Sequence, residues 1–146
     1  MDSITQEDFR EDQLAKQVID ASLKVHKLMG PGLLEGIYEA CLCRELSNRS
    51  IEYERQKSFP LFYEDEKLEY DLRVDFLVGG RVIIELKSVE KLLPVHEAQI
   101  LTYMKLSGKR LGLLINFNMP LLKQGIKRVV LRNNLGDLGD LAVNES

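Results

Sequence analysis

The stretch that decides the fold is LRVDFLVGGRVIIELK, residues 72–87. Two mostly apolar runs, 72–78 and 82–87, flank Gly79-Gly80, which predicts two antiparallel strands joined by a tight connection. The second run is rich in β-branched residues, as is typical of a central strand. Charged side chains interrupt both runs and are the first candidates for chemistry: Asp75, Glu85 and Lys87.

The length of the connection at Gly79-Gly80 decides whether Asp75 and Glu85 can meet. A two-residue turn would place the two carboxylates on opposite faces of the hairpin, because side chains alternate along a strand. An odd loop, formed by residues 79–81 or by residues 78–80, would return them to one face. We therefore expect an odd loop.

Helical patterns come before this hairpin. Apolar residues spaced three and four apart predict a helix over residues 8–29, which Gly30-Pro31-Gly32 ends. A second amphipathic helix is expected over residues 34–48. Alternation over residues 59–63 then predicts a strand, with a turn at residues 64–67.

The pattern after the hairpin returns to a helix and then to strands. Residues 94–106 predict a helix, which Gly108 ends. The solidly apolar residues 111–117 predict a strand buried on both faces and paired in parallel with a neighbour. Residues 126–131 predict a last short strand, and residues 133–146 a loose tail. This order predicts one α/β domain over residues 1–132 with a mixed sheet.

The composition excludes several classes of protein. With 146 residues, 45% of them hydrophobic, and with 4 prolines and 10 glycines, the chain is neither disordered nor collagenous. It has no apolar run long enough to cross a membrane and no apolar signal core near the N-terminus, so we expect a cytoplasmic protein. Cys41 and Cys43 are expected to be reduced packing residues.

Charge is unevenly distributed although the net charge is only −3. Residues 98–136 contain seven basic residues and no acidic residue, so the rest of the chain is strongly acidic. This asymmetry is typical of a polyanion-binding protein, and it is equally compatible with a solvated face that lacks acids.

The charged residues of the hairpin have two interpretations. Charged groups within apolar strands are costly unless paired, so Asp75, Glu85 and Lys87 could form a structural salt bridge. Alternatively, the carboxylate oxygens suit Mg²⁺ or Mn²⁺, and a lysine beside the ion can activate water or neutralise charge on a phosphate.

Two other features bear on this choice. His96, Gln99 and Tyr103 share one face of the helix that follows the second strand, either as a half-exposed surface or as one side of a site. Glu35 lies near the start of the second helix, where a carboxylate is usually a partner of the helix dipole.

Taken together, these residues resemble the GxxExxY protein family. The motif residues are, in chain order, His26, Gly32, Glu35, Tyr38 and His96. The strands with Asp75 and Glu85-Leu86-Lys87, and the Gln99 and Tyr103 pair, are similar to the core of PD-(D/E)XK nucleases. The resemblance covers roughly residues 26–128, and Val74 replaces the proline that names the superfamily.

This resemblance implies a restriction-endonuclease-like core, in which helices flank a mixed β-sheet, and hydrolysis of nucleic-acid phosphodiester bonds with Mg²⁺ or Mn²⁺. It implies that Lys87 orients the attacking water, and that Gln99 and Tyr103 line the substrate side of the site. The residues it assigns to catalysis are Lys87, Asp75, Glu85, Gln99 and Tyr103, and those it assigns to the metal are Asp75, Glu85 and Glu35.

The sequence thus favours a metal-dependent nuclease that binds DNA or RNA. The residues expected to share a basic rim and hold the backbone are Lys105, Lys109, Arg110, Lys127, Arg128 and Arg132. One alternative is a non-catalytic domain of the same fold that binds nucleic acid or a protein partner. The other is a structural protein in which Asp75, Glu85 and Lys87 are only ion pairs.

Overall fold

The computed structural model describes residues 5–131 and the backbone of residues 141–145. Its elements are α1 (Gln6–Met29), α2 (Glu35–Asn48), β1 (Tyr53–Tyr63), β2 (Glu66–Val78), β3 (Val82–Lys87), α3 (Pro94–Ser107), β4 (Leu111–Asn116), a 3₁₀ turn (Leu122–Gly125), β5 (Ile126–Leu131) and β6 (Leu141–Glu145). None of the helices in residues 5–131 is long and apolar enough to cross a membrane.

The six strands form one sheet in the order β1-β2-β3-β4-β5-β6. Strands β3 and β4 are parallel, and the four other neighbouring pairs are antiparallel. The mixed sheet and the parallel pairing of β4 are therefore confirmed. Helix α3 connects the two parallel strands, as a parallel pair requires a crossover.

Helices cover both faces of the sheet. Buried residues of α1 and α2, such as Val18 and Leu42, pack with Ile84 and Leu113 on one face. On the other face, Ile100 and Met104 of α3 pack with neighbouring strand residues, including Ile83, Leu114 and Val129. The α/β class with a helix-flanked sheet is confirmed.

The hairpin between β2 and β3 has the expected odd loop. Val78 pairs with Val82, so Gly79, Gly80 and Arg81 form a three-residue loop. Gly79 and Gly80 have φ angles of +59° and +68°, which residues with a side chain rarely adopt. The loop sets the register that places Asp75 opposite Glu85.

The outer strands are longer than their apolar pattern predicts. Strand β1 begins at Tyr53 rather than at residue 59, and β2 begins at Glu66 rather than at residue 72. Glu64 and Asp65, both with positive φ, form the two-residue turn. Most side chains in this part of β1 and β2, the two-stranded ribbon, are exposed. Backbone pairing therefore extends the two strands where hydrophobic alternation gives no signal.

The expected loose tail also differs from the structure in part. Leu141–Glu145 pairs antiparallel with β5 as strand β6, because the edge of β5 offers backbone hydrogen-bonding groups that a local sequence pattern does not reveal. Residues 132–140 and 146 lie outside the described residues.

Tyr38 holds the connection between the first two helices. Its buried hydroxyl donates to the Gly30 carbonyl at 2.6 Å and accepts from the Leu33 N–H at 3.1 Å. Its ring stacks on Phe117, with centroids 4.5 Å apart. Tyr38 therefore fixes the chain that leads into Glu35.

We expect Tyr38→Phe to lower the free energy of unfolding by about 1 kcal/mol, because the stacked ring remains while two half-buried backbone groups lose their partner. Urea denaturation measures this change. Tyr63→Phe, at an exposed position of the ribbon, is the matched control and should change little. Equal effects of the two substitutions would contradict the assigned role of the Tyr38 hydroxyl.

Candidate functional site

The candidate site lies where β2 and β3 stop pairing through their backbones. The regular ladder ends at Phe76 and Ile84, and Asp75 and Glu85 follow it. Glu85 Oε1 accepts from the Asp75 N–H at 3.3 Å, while Asp75 Oδ2 accepts from the Leu86 N–H at 2.8 Å. Each carboxyl group therefore bonds the backbone of the opposite strand, which holds the pair together.

Burial changes the protonation of this pair. Glu85 is only 7% exposed. Its burial, followed by the negative charge of Asp75, raises the pKa of Glu85 to about 9. Burial also raises the pKa of Asp75, against the opposing hydrogen bond from Leu86. At neutral pH the pair therefore retains a proton unless another positive charge takes its place.

Lys87 and Glu35 lie near the pair. Burial raises the pKa of Glu35, the positive charge of Lys87 opposes this effect, and the negative charge of Asp75 adds to it. No salt bridge among residues 5–131 joins Lys87 to Asp75 or Glu85. The lysine is therefore not committed to a structural ion pair with either carboxylate.

The donor set of the site fits Mg²⁺ better than a metal that needs a full protein cage. Among residues 5–131, no three His, Cys, Asp or Glu side chains already form a metal-holding group. Mg²⁺ keeps several waters and is commonly bound through one or two carboxylates together with substrate phosphates. Asp75 and Glu85 supply those two carboxylates. Glu35, the first residue of α2, is not brought into a three-carboxylate group with them, so its predicted role as a ligand remains a prediction.

Lys87 also lines a cleft beside α3. The cleft has a volume of about 510 Å³, and its walls are formed by Lys87, Val95, His96, Ala98, Gln99, Thr102 and Tyr103. Gln99 Nε2 donates to the Tyr103 hydroxyl at 3.0 Å. The structure thus brings the polar stripe of α3 together with the lysine of β3.

His96 has a fixed orientation in this wall. Its Nδ1 accepts from the Leu93 N–H at 2.9 Å, at the start of α3. A neutral ring with Nδ1 as an acceptor carries its proton on Nε2, which leaves Nε2–H as the donor.

The other motif residues shape the turn before Glu35. Gly32 has a φ of +95°, and Tyr38 holds the same turn. His26 Nε2 lies 2.7 Å from the Met119 carbonyl and outside the cleft. Gly32 and Tyr38 therefore support the turn that leads into Glu35, whereas His26 joins the end of α1 to the segment after β4.

Two residues that were not predicted from the sequence fix the chain after Lys87. Ser88 Oγ donates to the Leu33 carbonyl at 2.5 Å, which ties the end of β3 to the start of α2. The buried Asn116 amide accepts from the Val89 N–H at 3.1 Å and donates to the Val89 carbonyl at 2.9 Å. A polar residue at the end of the apolar strand β4 was the available signal for Asn116.

Two further residues near Asp75, Glu39 and Gln56, were also not predicted from the sequence. Glu39 lies one turn after Glu35 on α2 and pairs with Arg55 at 2.8 Å. Gln56 Nε2 donates to Asp75 Oδ1 at 3.3 Å. Since neither residue belongs to an apolar pattern or to the quoted motif, the sequence carried no signal for them.

The expected common basic rim is not what the structure shows. Arg110 pairs with Glu7, Asp8 and Glu11, and Arg128 pairs with Asp12, all on α1. Lys127 instead pairs with Glu97 on α3. The neighbours Lys127 and Arg128 thus point to opposite faces of the sheet, because side chains alternate along a strand.

The basic residues before β4 are also far from the candidate site. Lys109 donates to the Gly80 carbonyl, and Arg110 precedes Leu111, which pairs with Val82 at the opposite end of β3 from Lys87. That strand length corresponds to roughly 17 Å. Lys105 lies in the last turn of α3, near the same far end. Arg132 lies outside the described residues.

We expect the metal-free protein to lose stability as the pH rises from about 5 to about 8. The folded-state pKa of Glu85 is about 9, against an ordinary value of 4.5, so the native state binds more protons than the unfolded state over this range. The free energy of unfolding should then fall by up to about 1.4 kcal/mol per pH unit.

Urea denaturation across this pH range measures the effect, and Glu85→Gln is the control that removes the titrating group. The variant should have the flatter profile, and Mn²⁺ should reverse the loss in the wild-type protein. Parallel profiles for the two proteins would contradict the assigned protonation of Glu85.

Comparison with known proteins identifies the family. The model of a family described as the PD-(D/E)XK nuclease superfamily matches residues 12–129. No curated protein matches the chain, and no solved structure does. The mixed, helix-flanked sheet is consistent with a restriction-endonuclease-like fold, and nucleases of this superfamily generally use divalent metals. The chain therefore belongs to the PD-(D/E)XK nuclease superfamily.

Proposed function

We propose that the chain is a divalent-cation-dependent nuclease that hydrolyses phosphodiester bonds of DNA or RNA, and that it belongs to the GxxExxY subtype. The observation that carries the proposal is the hydrogen-bonded pair of half-buried Asp75 and buried Glu85, beside a lysine that lines an open cleft. A structural salt bridge would instead place Lys87 against one of the carboxylates.

Asp75 and Glu85 would hold Mg²⁺ or Mn²⁺, with Glu35 as a further acidic contributor. When bound, the cation supplies positive charge that stabilises the negative charge developing on the phosphate. Ionisation of Glu85 accompanies binding, because a ligand must be deprotonated to coordinate a metal. The burial that makes ionisation costly also strengthens the attraction of the ionised pair for a cation.

Lys87 would orient the attacking water and stabilise charge on the phosphate. Lys87 is half-buried and lines the cleft, and the contacts of Ser88 and Asn116 fix the chain directly after it. A lysine that is already held in place contributes to catalysis, because its positive charge need not reorient as negative charge develops on the phosphate.

The wall of α3 would hold the substrate. His96, Gln99 and Tyr103 line the cleft with hydrogen-bonding groups, which suit phosphate and sugar oxygens. Because Arg110 and Arg128 pair with α1, we assign them to the stability of the fold, and nucleic-acid contacts to the cleft. Within residues 5–131, Lys87 is the one lysine or arginine among the residues that line the cleft.

We expect Lys87→Ala to reduce hydrolysis about 10²- to 10³-fold while Mn²⁺ still binds, because the lysine is not a ligand. Asp75→Asn should lose both hydrolysis and Mn²⁺ binding. Titration calorimetry with Mn²⁺ and cleavage of labelled DNA and RNA measure the two properties, and Lys123→Ala, at an exposed lysine of the 3₁₀ turn, is the control.

Two results of this experiment would contradict the proposal. If Lys87→Ala destabilises the fold by about 3–5 kcal/mol and the wild-type protein binds no Mn²⁺, the residues are structural ion pairs. If the wild-type protein binds Mn²⁺ and nucleic acid without cleavage, the domain is non-catalytic.

We also expect nucleic-acid affinity to depend weakly on salt, with a slope of log affinity against log salt near −0.9 for one phosphate contact on a duplex. Fluorescence anisotropy in Ca²⁺, a non-hydrolysing substitute, measures the slope. Exchanging Arg110 and Arg128 for Ser should leave it unchanged, because their charges are paired with α1. A slope of −3 or steeper that falls in this double variant would contradict the assignment of contacts to the cleft.

A further inference from the structure

Gln56 has a backbone conformation that is unusual within a strand. Its φ is +52°, in the left-handed region that residues other than glycine rarely adopt. The β1–β2 ladder pairs Arg55 with Phe76 and Lys57 with Val74, and it skips Gln56 and Asp75 between them. One residue of each strand is skipped, so the register is unchanged and the irregularity is one of backbone conformation. Residues held in sparsely populated backbone conformations cluster at active sites.

The amide of Gln56 lies between two carboxylates. Its Nε2 donates to Glu39 Oε1 at 2.5 Å and to Asp75 Oδ1 at 3.3 Å. Arg55 Nε donates to the other oxygen of Glu39 at 2.8 Å. Successive side chains of a regular strand point to opposite faces, so the left-handed conformation at Gln56 lets both residues reach one carboxylate.

The irregularity extends to β2. Phe76 packs with α1 and α2, whereas Val74, two residues earlier, packs on the α3 face. Residues two apart in a regular strand share a face, so the alternation of β2 breaks at Asp75. Both strands are therefore distorted at the same level of the ribbon, where Gln56 and Asp75 face each other.

We propose that Gln56 is a positioning residue, which orients the carboxyl group of Asp75 for cation binding. Asp75 has one restraint on each oxygen, the Leu86 N–H on Oδ2 and the Gln56 amide on Oδ1. The same amide links Asp75 to Glu39 on α2, the helix that begins at Glu35. A strained backbone persists where the surrounding contacts require it, as at functional sites. The role in cation binding rests on the proposed function.

Gln56→Gly separates positioning from stability. Glycine adopts the observed φ without strain, so the thermal midpoint should stay the same or rise. Loss of the amide should weaken Mn²⁺ binding and hydrolysis about 10- to 100-fold, as is usual for residues that orient a metal ligand. Hydrogen exchange of the Leu86 amide in the metal-free protein should become at least ~10-fold faster, because that amide donates to Asp75.

Two other variants complete the experiment. Ser50→Gly relieves a similar backbone strain, φ +57°, in the turn after α2, and it should leave Mn²⁺ affinity and Leu86 exchange unchanged. Gln56→Asn keeps an amide and tolerates the left-handed region but is one methylene too short to reach both carboxylates. It should therefore behave like Gln56→Gly in Mn²⁺ affinity and Leu86 exchange.

Unchanged Leu86 exchange in Gln56→Gly would overturn the positioning role, as would faster exchange spread evenly over the whole sheet. If Leu86 exchange alone accelerates but Mn²⁺ affinity does not change, the role in cation binding is overturned. If the wild-type protein binds no Mn²⁺, the proposed function fails, and Leu86 exchange still decides whether Gln56 positions Asp75.

Discussion

The site depends on two reciprocal hydrogen bonds, in which Asp75 and Glu85 each bond the backbone of the opposite strand. These bonds take over where the regular β2–β3 ladder ends, so the two strands can separate without leaving unsatisfied N–H groups. The cost is that the buried carboxyl group of Glu85 lies beside the half-buried carboxyl group of Asp75. Under the proposed function a bound cation would relieve this cost, and Lys87 would link the carboxyl pair to the cleft beside α3, which it lines.

The sequence could predict the features that follow from local constraints. The loop after Val78 had to contain an odd number of residues for Asp75 and Glu85 to share a face. The structure has a three-residue loop there. The helices and the buried strand β4 could be predicted in the same way, because burial on one or both faces of an element determines the spacing of its apolar residues. The polar stripe of α3 was readable for the same reason.

Other features have no local signal. The left-handed backbone of Gln56 is required by its partners Glu39 and Asp75 and not by its own residue type. Arg110 and Arg128 looked like a nucleic-acid surface because their partners on α1 lie about one hundred residues earlier. A cluster of charges in the sequence therefore did not correspond to a cluster in space.

The parallel pairing of β3 with β4 affects how the site assembles during folding. Asp75 and Glu85 are ten residues apart and meet as soon as the β2–β3 hairpin closes. The α3 wall can face Lys87 only after the longer crossover to β4 has formed, and such non-local pairing is slow. We therefore expect the carboxyl pair to form early in folding and the cleft to form late. A partly folded chain would then have the acidic pair but not the cleft that is proposed to bind a polynucleotide.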